Sequence, residues 1–541
     1  MRFTYSLGLL YLCGTFVTTQ DTQDFDPYKL AYVPDNQKPR VFVLTDILNE
    51  PDDQQSVVRY LLYSNEFNTR ALCATTSTHL RNETHPDRIE QIVKAYGQVV
   101  KNLNRHVHPW NQYTPAEDLL SLITSGPTVR LLLFAPAPPN LLTMLQSYGR
   151  EALSEPISEG AQLLIERLQE STEPLWILVW GGPNTLAQAL HHLSQNVTDA
   201  EFAVLRARLR VYAISDQDDT SEWIRYNWPD IFYIVSIHGF TNYALATWRC
   251  MWEGIPSLSL NKLGHEWLAK YIEIGPLGDV YPRRAYGAEG DTPSFLYLIQ
   301  NGLGDREDPR VGGWGGRWLP INHGSRVYGD SLDIYYAPDG SNETSNKATC
   351  ARWRDHFQND MASRMQWSVS DNFSNGTHPP VPRINGTVGP SPIRISVVPG
   401  QEVVLDASET FGPDDPENNS TLVFEWYQYL ESGYQVRGTP RDWAKVELEA
   451  VGDGGETPDL EEANDSGFRR FTRGPSVKVT VPNLEDIEYE YHIILQVTNN
   501  KNPELPVRRY MRVKLTTSST NINPDECCVD MIVPETKNIT W

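Results

Sequence analysis

The sequence of 541 residues predicts a mainly parallel α/β sheet followed by an all-β sandwich. From residue 40 to about residue 367, short apolar runs alternate with longer helical stretches. Beyond residue 392, short alternating strands are separated by turn residues, and no long helix fits. The stretch 373–392 between these regions contains five prolines and two glycosylation sequons, which is typical of a linker or a domain edge.

The predicted strands of the first region are largely apolar, which is typical of strands buried on both faces. They are residues 41–45, 71–75, 175–180, 211–214 and 231–236. The predicted helices between them are residues 52–63, 88–102, 157–169 and 183–192. The alternation indicates a Rossmann-like sheet covered by helices on both faces, in which ligands bind beyond the carboxyl ends of the strands.

The second region is predicted to be an immunoglobulin-like sandwich. Its strands are expected at residues 393–398, 402–405, 422–429, 476–481, 489–498 and 507–515. The acidic insertion 453–465 is expected to be a solvated loop. The predicted organisation is a signal peptide, an α/β domain, a proline-rich linker or domain edge, a sandwich and a tail, at residues 1–20, 36–372, 373–392, 393–518 and 519–541.

The charge balance excludes nucleic acid as a partner, because 69 acidic and 46 basic residues give a net charge of -23 and no basic patch is present. Residues 1–20 begin with Arg2, continue with a short apolar run and end in small and polar residues, as secretory signal peptides do. The run is too short to span a membrane. We therefore expect a secreted, extracellular glycoprotein with no membrane partner. The Asn-x-Ser/Thr sequons begin at Asn82, Asn196, Asn342, Asn372, Asn375, Asn385, Asn418, Asn419, Asn464 and Asn538.

Oxidising conditions permit one or two disulfides among the cysteines that remain after a signal peptide is removed. Cys250 with Cys350 is the first pairing to expect, although connectivity cannot be read from a sequence. Adjacent Cys527 and Cys528 lie in a polar tail and are expected to remain unpaired with each other.

Carboxylates converge at the end of the first predicted strand. Asp46 follows this strand, and Pro51 opens a helix whose first turn carries Asp52 and Asp53. Acidic residues in a first helical turn stabilise the helix dipole without any further function, but that does not explain Asp46. A hard cation such as Ca²⁺ would relieve the repulsion among these groups. On spacing alone, a metal or sugar site and a hydrated acidic turn both remain open.

These residues resemble a known family. The strand-Asp-loop-Asp-Asp-helix arrangement resembles that of nucleoside hydrolases, calcium-dependent enzymes that cleave ribosides. More closely, TD at 45–46, EPDDQQS at 50–56 and RYLLYSNEF at 59–67 are similar to the nucleoside hydrolase-like domain of secreted cellulose-binding proteins from polysaccharide-degrading microbes. That family also carries a C-terminal immunoglobulin-like domain. Further matching segments are WGGPNTLA at 180–187, ISDQDD at 214–219, EGDTPSFL at 289–296 and GGWGGRW at 312–318.

The resemblance implies a role for each matching residue. Asp46 is expected to bind Ca²⁺ and to activate the attacking water as a general base. Asp53 is expected to be a bidentate ligand, and Asp52 is expected to accept hydrogen bonds from sugar hydroxyls. The carbonyl of Gly181 and the carboxylate of Asp291 are expected to complete the metal site.

The chain departs from the nucleoside hydrolase pattern at three points. Leu44 occupies the place of a further aspartate, and the loop before the Asp pair is longer by about two residues. Gly290 stands where a histidine often protonates the leaving base, which leaves Glu289 as the nearest candidate proton donor. These departures favour a glycan over a nucleoside as the substrate.

Aromatic residues bear on the substrate. Trp314 and Trp318 lie in a glycine-rich segment, which predicts that their faces are available for stacking on sugar rings, whereas core packing is the default for tryptophan. The first hypothesis is a calcium-dependent hydrolase of glycosidic bonds, furanosidic bonds included, in cell-wall saccharides. The alternatives are a non-catalytic protein that binds cellulose or another carbohydrate, and a true nucleoside N-ribohydrolase.

Overall fold

The computed structural model describes residues 26–128, 148–238, 242–255, 258–433, 444–452, 454–484 and 489–517. The expected signal peptide and the tail with Cys527 and Cys528 lie outside these ranges. Within the same ranges, no helix is both long enough and apolar enough to cross a membrane.

An eight-stranded sheet forms the centre of the first domain, with the strand order β3-β2-β1-β4-β5-β6-β8-β7. All neighbouring strands are parallel except β7, which runs antiparallel to β8. This confirms the predicted α/β class. The strands are β1 (Arg40–Thr45), β2 (Asn68–Ala74), β3 (Ile123–Ser125), β4 (Leu175–Val179), β5 (Leu209–Ser215), β6 (Phe232–Ser236), β7 (Trp318–Pro320) and β8 (Val327–Asp330).

Helices cover both faces of this sheet. Alternate residues of a strand therefore pack into two apolar clusters, one on each face. In β1, Val41 and Val43 belong to one apolar cluster, whereas Phe42 and Leu44 belong to the other. The helices are α1 (Pro51–Leu61), α2 (Pro86–Gly97), α3 (Val100–Leu103), α4 (Ala116–Leu120), α5 (Glu159–Gln169), α6 (Asn184–Asn196), α7 (Asp199–Ala207), α8 (Thr220–Asn227), α9 (His265–Tyr271), α10 (Gly275–Gly278), α11 (Thr292–Leu296), α12 (Ala348–Ala351) and α13 (Arg354–Ser368).

Two short hairpins lead into the second domain, which is a sandwich of two sheets with an apolar core between them. One sheet has the order β13-β20-β19-β15-β17 and the other has the order β14-β18-β16. The predicted second all-β domain is therefore confirmed. The hairpins are β9 (Asp333–Tyr336) with β10 (Asn342–Ser345) and β11 (Arg383–Ile384) with β12 (Thr387–Val388). The sandwich strands are β13 (Ile393–Val397), β14 (Glu402–Asp406), β15 (Leu422–Gln428), β16 (Glu447–Val451), β17 (Phe471–Arg473), β18 (Ser476–Thr480), β19 (Glu490–Asn499) and β20 (Val507–Thr517).

The two domains share a buried, largely polar interface. Helix α13 lies in it and packs against β20. The carboxylate of Asp360 on α13 accepts hydrogen bonds from the Tyr63 hydroxyl at 2.8 Å, from Arg364 at 3.1 Å and from Arg509 of β20 at 2.7 Å. Since all of these groups are largely or fully buried, the contacts tie the domains together through fully paired charges.

The structure agrees with two sequence expectations and corrects a third. Cys250 and Cys350 form the expected disulfide. Asn464, expected to be a surface glycosylation site, is only 3% exposed, and its carboxamide oxygen accepts hydrogen bonds from two backbone N–H groups. The acidic insertion is largely exposed, as expected, and Asp465 at its end forms an ion pair with Arg508 of β20.

Candidate metal and saccharide site

The candidate site lies where the order of the parallel strands reverses. Asp46 directly follows β1, and Gly181 lies just beyond the end of the neighbouring strand β4. The following strands lie on opposite sides of this pair: β2 and β3 lie beyond β1, whereas β5 and β6 lie beyond β4. A crevice opens at such a switch point, beyond the carboxyl ends of the strands, and commonly binds ligands.

Four carboxyl groups meet in this crevice. Pro51 begins α1 and so places Asp52 and Asp53 in its first turn, while Asp291 immediately precedes α11. Ligand oxygens of Asp52, Asp53 and Asp291 all lie within 4.8 Å of one another. Asp46 lies beside them, close enough for its carboxyl group to raise the pKa of Asp53. The structure thus brings together the four aspartates that the sequence singled out.

These carboxyl groups have no protein counter-charge. Burial, together with the charge of Asp52, raises the pKa of Asp46 to about 7, and burial with the charge of Glu50 raises the pKa of Asp52 to about 6. Burial and the neighbouring carboxylates also raise the pKa values of Asp53 and Asp291. In the described part of the chain, none of the four forms an ion pair with lysine or arginine.

The donor set fits a hard divalent cation. The Oδ2 atoms of Asp46 and Asp291 are buried and have no hydrogen-bond partner within the described ranges. Unpaired carboxylate oxygens in a buried site are costly, and Ca²⁺ binds preferentially to such oxygens. The side chain of Thr45 donates a hydrogen bond to the Oδ1 atom of Asp53, which orients that carboxylate.

Gly181 is positioned so closely to Asp46 that a side chain would not fit. A Cβ atom at Gly181 would lie 2.8 Å from the Cβ atom of Asp46. The glycine therefore allows the loop after β4 to approach the end of β1, as a carbonyl ligand at this position would require.

Replacing Gly181 with alanine is expected to weaken Ca²⁺ binding by about tenfold or more, because the new methyl group displaces Asp46. Isothermal titration calorimetry with Ca²⁺ measures the change. Gly254→Ala is the matched control, since a Cβ atom there meets nothing closer than Leu260 at 3.8 Å. Equal Ca²⁺ affinities for the two variants would contradict the assignment of Gly181 to the metal site.

Glu289, the expected proton donor, has a different role. It forms a buried ion pair with Arg59 of α1, and it also accepts hydrogen bonds from the hydroxyls of Tyr281 at 2.6 Å and Thr292 at 3.0 Å. Both carboxylate oxygens are occupied by donors, so the group has no proton to give. The prediction that Glu289 is the proton donor was wrong, because the sequence does not show that Arg59 of α1 pairs with Glu289.

Trp314 and Trp318, the expected stacking residues, are not available either. They are 1% and 0% exposed, respectively. The indole N–H of Trp314 donates to the Tyr510 hydroxyl in the second domain, and that of Trp318 donates to the carbonyl of Gly315. Both rings belong to the core, so this prediction was wrong.

A different tryptophan pair borders the carboxylates. A Cβ atom at Gly290 would lie 3.1 Å from an oxygen of Asp52, 3.4 Å from the ring of Trp252 and 3.5 Å from the ring of Trp248. The two indole rings are 5.3 Å apart, and Trp252 is partly exposed. The indole N–H of Trp248 is buried without a partner in the described regions. The spacing of these tryptophans on either side of Cys250 was the sequence signal that could have revealed them.

Comparison with known proteins identifies the family. Residues 40–318 match the family model described as "Cellulose-binding Sde182, nucleoside hydrolase-like domain". The chain belongs to this cellulose-binding, nucleoside hydrolase-like family. Residues 402–517 match the model of the "Cellulose-binding protein Sde0182, C-terminal domain", so the Sde182 family resemblance extends to the sandwich.

A solved structure agrees with the assignment to the Sde182 family. One similar structure is a nucleoside hydrolase-related hypothetical protein from Saccharophagus degradans that is associated with carbohydrate metabolism. It is 26% identical, has a TM-score of 0.67, and the match covers 89% of this chain and 100% of that chain. A PapD-like domain of human CEP192 matches at 12% identity with a TM-score of 0.12, over 24% of this chain and 84% of that chain. No curated protein matches the chain.

Proposed function

We propose that this protein is a secreted, calcium-dependent hydrolase that acts on glycosidic bonds of cell-wall saccharides, furanosides included. One observation carries the proposal: four aspartates, three of them buried, converge beside Trp248 and the partly exposed Trp252 at the switch point of the sheet, and no lysine or arginine in the described chain pairs with them. Such a site combines a hard-cation cage with an apolar wall on which a sugar ring can stack. The leader-like residues 1–20 support export.

Asp46, Asp53, Asp291 and the Gly181 carbonyl would hold the cation. Asp52 lies within 4.8 Å of two of these carboxylates and is available either as a further ligand or as a partner for sugar hydroxyls. Bound Ca²⁺ would supply Lewis-acid polarisation of water and would orient vicinal hydroxyls.

Asp46 is suited to accept the proton of the attacking water. The nearby Ser77 hydroxyl lowers the pKa of this carboxyl group and so partly offsets its burial, while the Oδ2 atom of Asp46 has no hydrogen-bond partner in the described chain. Removing a proton from water as an oxocarbenium-like centre develops is the role of the base in glycoside hydrolysis. Trp252 offers a ring face to the sugar, and Trp248 offers its free indole N–H.

A second candidate function is saccharide binding without hydrolysis. The carboxylate of Glu289 is paired with Arg59, and Gly290 has no side chain, so neither residue is available to protonate a leaving group. A leaving group that needs no protonation would still be released, whereas a poor one would not. The choice of substrate therefore discriminates between the two candidates.

Incubating the purified protein with p-nitrophenyl furanosides, cell-wall polysaccharides and inosine, with either Ca²⁺ or EDTA, tests the proposal. We expect Ca²⁺-dependent product release from a furanoside or a polysaccharide, and little or none from inosine. Equal release with Ca²⁺ and with EDTA would show that the metal assignment is wrong. Retention on a polysaccharide without release from any substrate would establish the binding function instead.

A further inference from the structure

A large groove lies at the opposite end of the first domain from the carboxylates. It has a volume of about 680 Å³ and is bordered by the segment 28–33, by residues 65–66 after α1 and by parts of the sandwich. Because Asp52 and Asp53 lie in the first turn of α1, the helix of 11 residues, about 16 Å long, separates them from this groove. The volume is within the range of small-molecule binding sites.

Two exposed aromatic residues, Tyr28 and Tyr32, line one border of the groove, and the exposed ring of Trp110 packs against both. Tyr28 is 57% exposed, Tyr32 is 40% exposed and Trp110 is 63% exposed. The ring of Trp110 lies 5.8 Å from that of Tyr28 and 5.6 Å from that of Tyr32, while His108 stacks on Tyr32 at 4.3 Å. Water-exposed aromatic clusters are unfavourable without a partner, and their ring faces suit the C–H faces of sugars.

Two buried guanidinium groups in the wall of the groove are paired. Arg364 is paired with Glu66 at 2.9 Å, and Arg509 is paired with Asp360 at 2.7 Å. These two guanidinium groups are therefore not free to bind an anion.

One amide in the wall lacks a partner. Asn111 lines the groove and is 4% exposed, and its carboxamide oxygen has no hydrogen-bond partner in the described part of the molecule. Such an oxygen is costly to bury alone, and a hydroxyl group of a ligand would satisfy it. An unpaired amide acceptor together with exposed rings is the combination that a neutral polyhydroxylated ligand requires.

We propose that this groove is a second saccharide-binding site, which holds a neutral oligosaccharide chain against Tyr32 and Trp110. The inference rests on the proposed carbohydrate function but not on catalysis, and it assigns binding to a surface distinct from the metal site. A chain held there would keep the protein attached to its substrate while the carboxylate site acts on another part of the polymer.

Calorimetric titration with neutral hexasaccharides derived from cellulose, xylan, mannan and arabinan tests the inference. We expect at least one of them to bind equally well with Ca²⁺ and with EDTA, since the carboxylate cluster that could hold a metal in the described residues, Asp52, Asp53 and Asp291, lies outside the groove. The double variant Tyr32→Ala/Trp110→Ala is expected to bind about tenfold more weakly or worse. Tyr226→Ala is the matched control, because Tyr226 on α8 is 84% exposed and does not border the groove. Tyr32→Phe/Trp110→Phe keeps the ring faces and is expected to retain binding.

Two results would overturn the inference. One is wild-type affinity in the Tyr32→Ala/Trp110→Ala variant, and the other is the absence of EDTA-resistant binding to every hexasaccharide. Neither result affects the proposed function, because Ca²⁺-dependent product release is measured separately. Conversely, EDTA-resistant binding without product release would uphold the groove and refute hydrolysis. Circular dichroism of each variant verifies that the fold is retained.

Discussion

Replacing Asp46 with asparagine is expected to lower the rate of glycoside hydrolysis about 100- to 10 000-fold, the range typical of losing a general base. Asp46 is 2% exposed, and asparagine has almost the same size, so the buried site should keep its shape. An amide cannot take a proton from water. The measurement is kcat and KM on the substrate that the wild-type protein cleaves fastest.

Asp46 is also a proposed metal ligand, so the two roles must be separated. The assay is therefore repeated at Ca²⁺ concentrations that saturate the variant. Recovery of wild-type turnover under saturation would show that Asp46 only holds the metal and that the base lies elsewhere. Asp87→Asn is the matched control, since the side chain of Asp87 is 76% exposed and lies on α2, away from the site.

Replacing Asp360 with asparagine is expected to lower the free energy of unfolding by about 3–5 kcal/mol, the usual cost of removing one partner of a buried charge pair. The carboxylate is 2% exposed and is shared by Arg364 and Arg509. Arg364 keeps Glu66, whereas Arg509 loses its carboxylate partner. Urea unfolding followed by tryptophan fluorescence reports the change, because Trp314 and Trp353 lie at the same interface.

Asp355→Asn is the control for this prediction. Asp355 is on the same helix, but its side chain is 42% exposed and pairs only with Lys262 at the surface. We expect a loss of at most about 1 kcal/mol there. Similar losses for the two variants would show that the interface ion pairs contribute little to stability.

The same carboxylate predicts the direction of a pH effect. Burial alone would raise the pKa of Asp360, but the charges of Arg509 and Arg364 outweigh it, so its pKa lies below the ordinary value. The stabilisation is thus complete above the unfolded-state pKa of about 3.9 and is lost as the pH falls below it. Acid unfolding of the wild type should therefore be steeper than that of the Asp360→Asn variant in this range.

The strands and the carboxylates of the site could be predicted because local signals determine them. A short apolar run such as that of β1 is typical of a buried parallel strand, and Pro51 marks the start of the next helix. Asp46 and Asp53 then meet through that short connection. Asp291 is distant in sequence, and only the family resemblance suggested its role.

The tryptophans were assigned wrongly because glycine has two opposite structural uses. The glycines around Trp314 were interpreted as flexible backbone that leaves the ring exposed. In the structure, a Cβ atom at Gly315 would lie 2.5 Å from the Cβ atom of Tyr297, so this glycine allows close packing of the backbone against α11 and its C-terminal end. The sequence pattern does not distinguish these two uses.

The sequence pattern does not predict helix α13, because polar residues are buried on it as fully as the apolar residues Phe357, Met361 and Met365. Its buried positions include Asp360, Arg364 and His356, whose partners lie in the segment after α1 and in β20. Periodicity identifies helices that pack through apolar stripes, and it fails for a helix whose contacts on opposite sides are ion pairs and hydrogen bonds. Such a helix becomes apparent only when both domains are in place.

The position of β20 determines when the molecule can finish folding during synthesis. This last described strand lies between β13 and β19 in its sheet, and it also supplies Arg509 and Tyr510 to the first domain. A nascent chain that has already emerged as far as α13 therefore still lacks the strand that pairs its charges. Until β20 leaves the ribosome, both domains retain incomplete surfaces, and such partly folded states are the ones that are prone to misassembly.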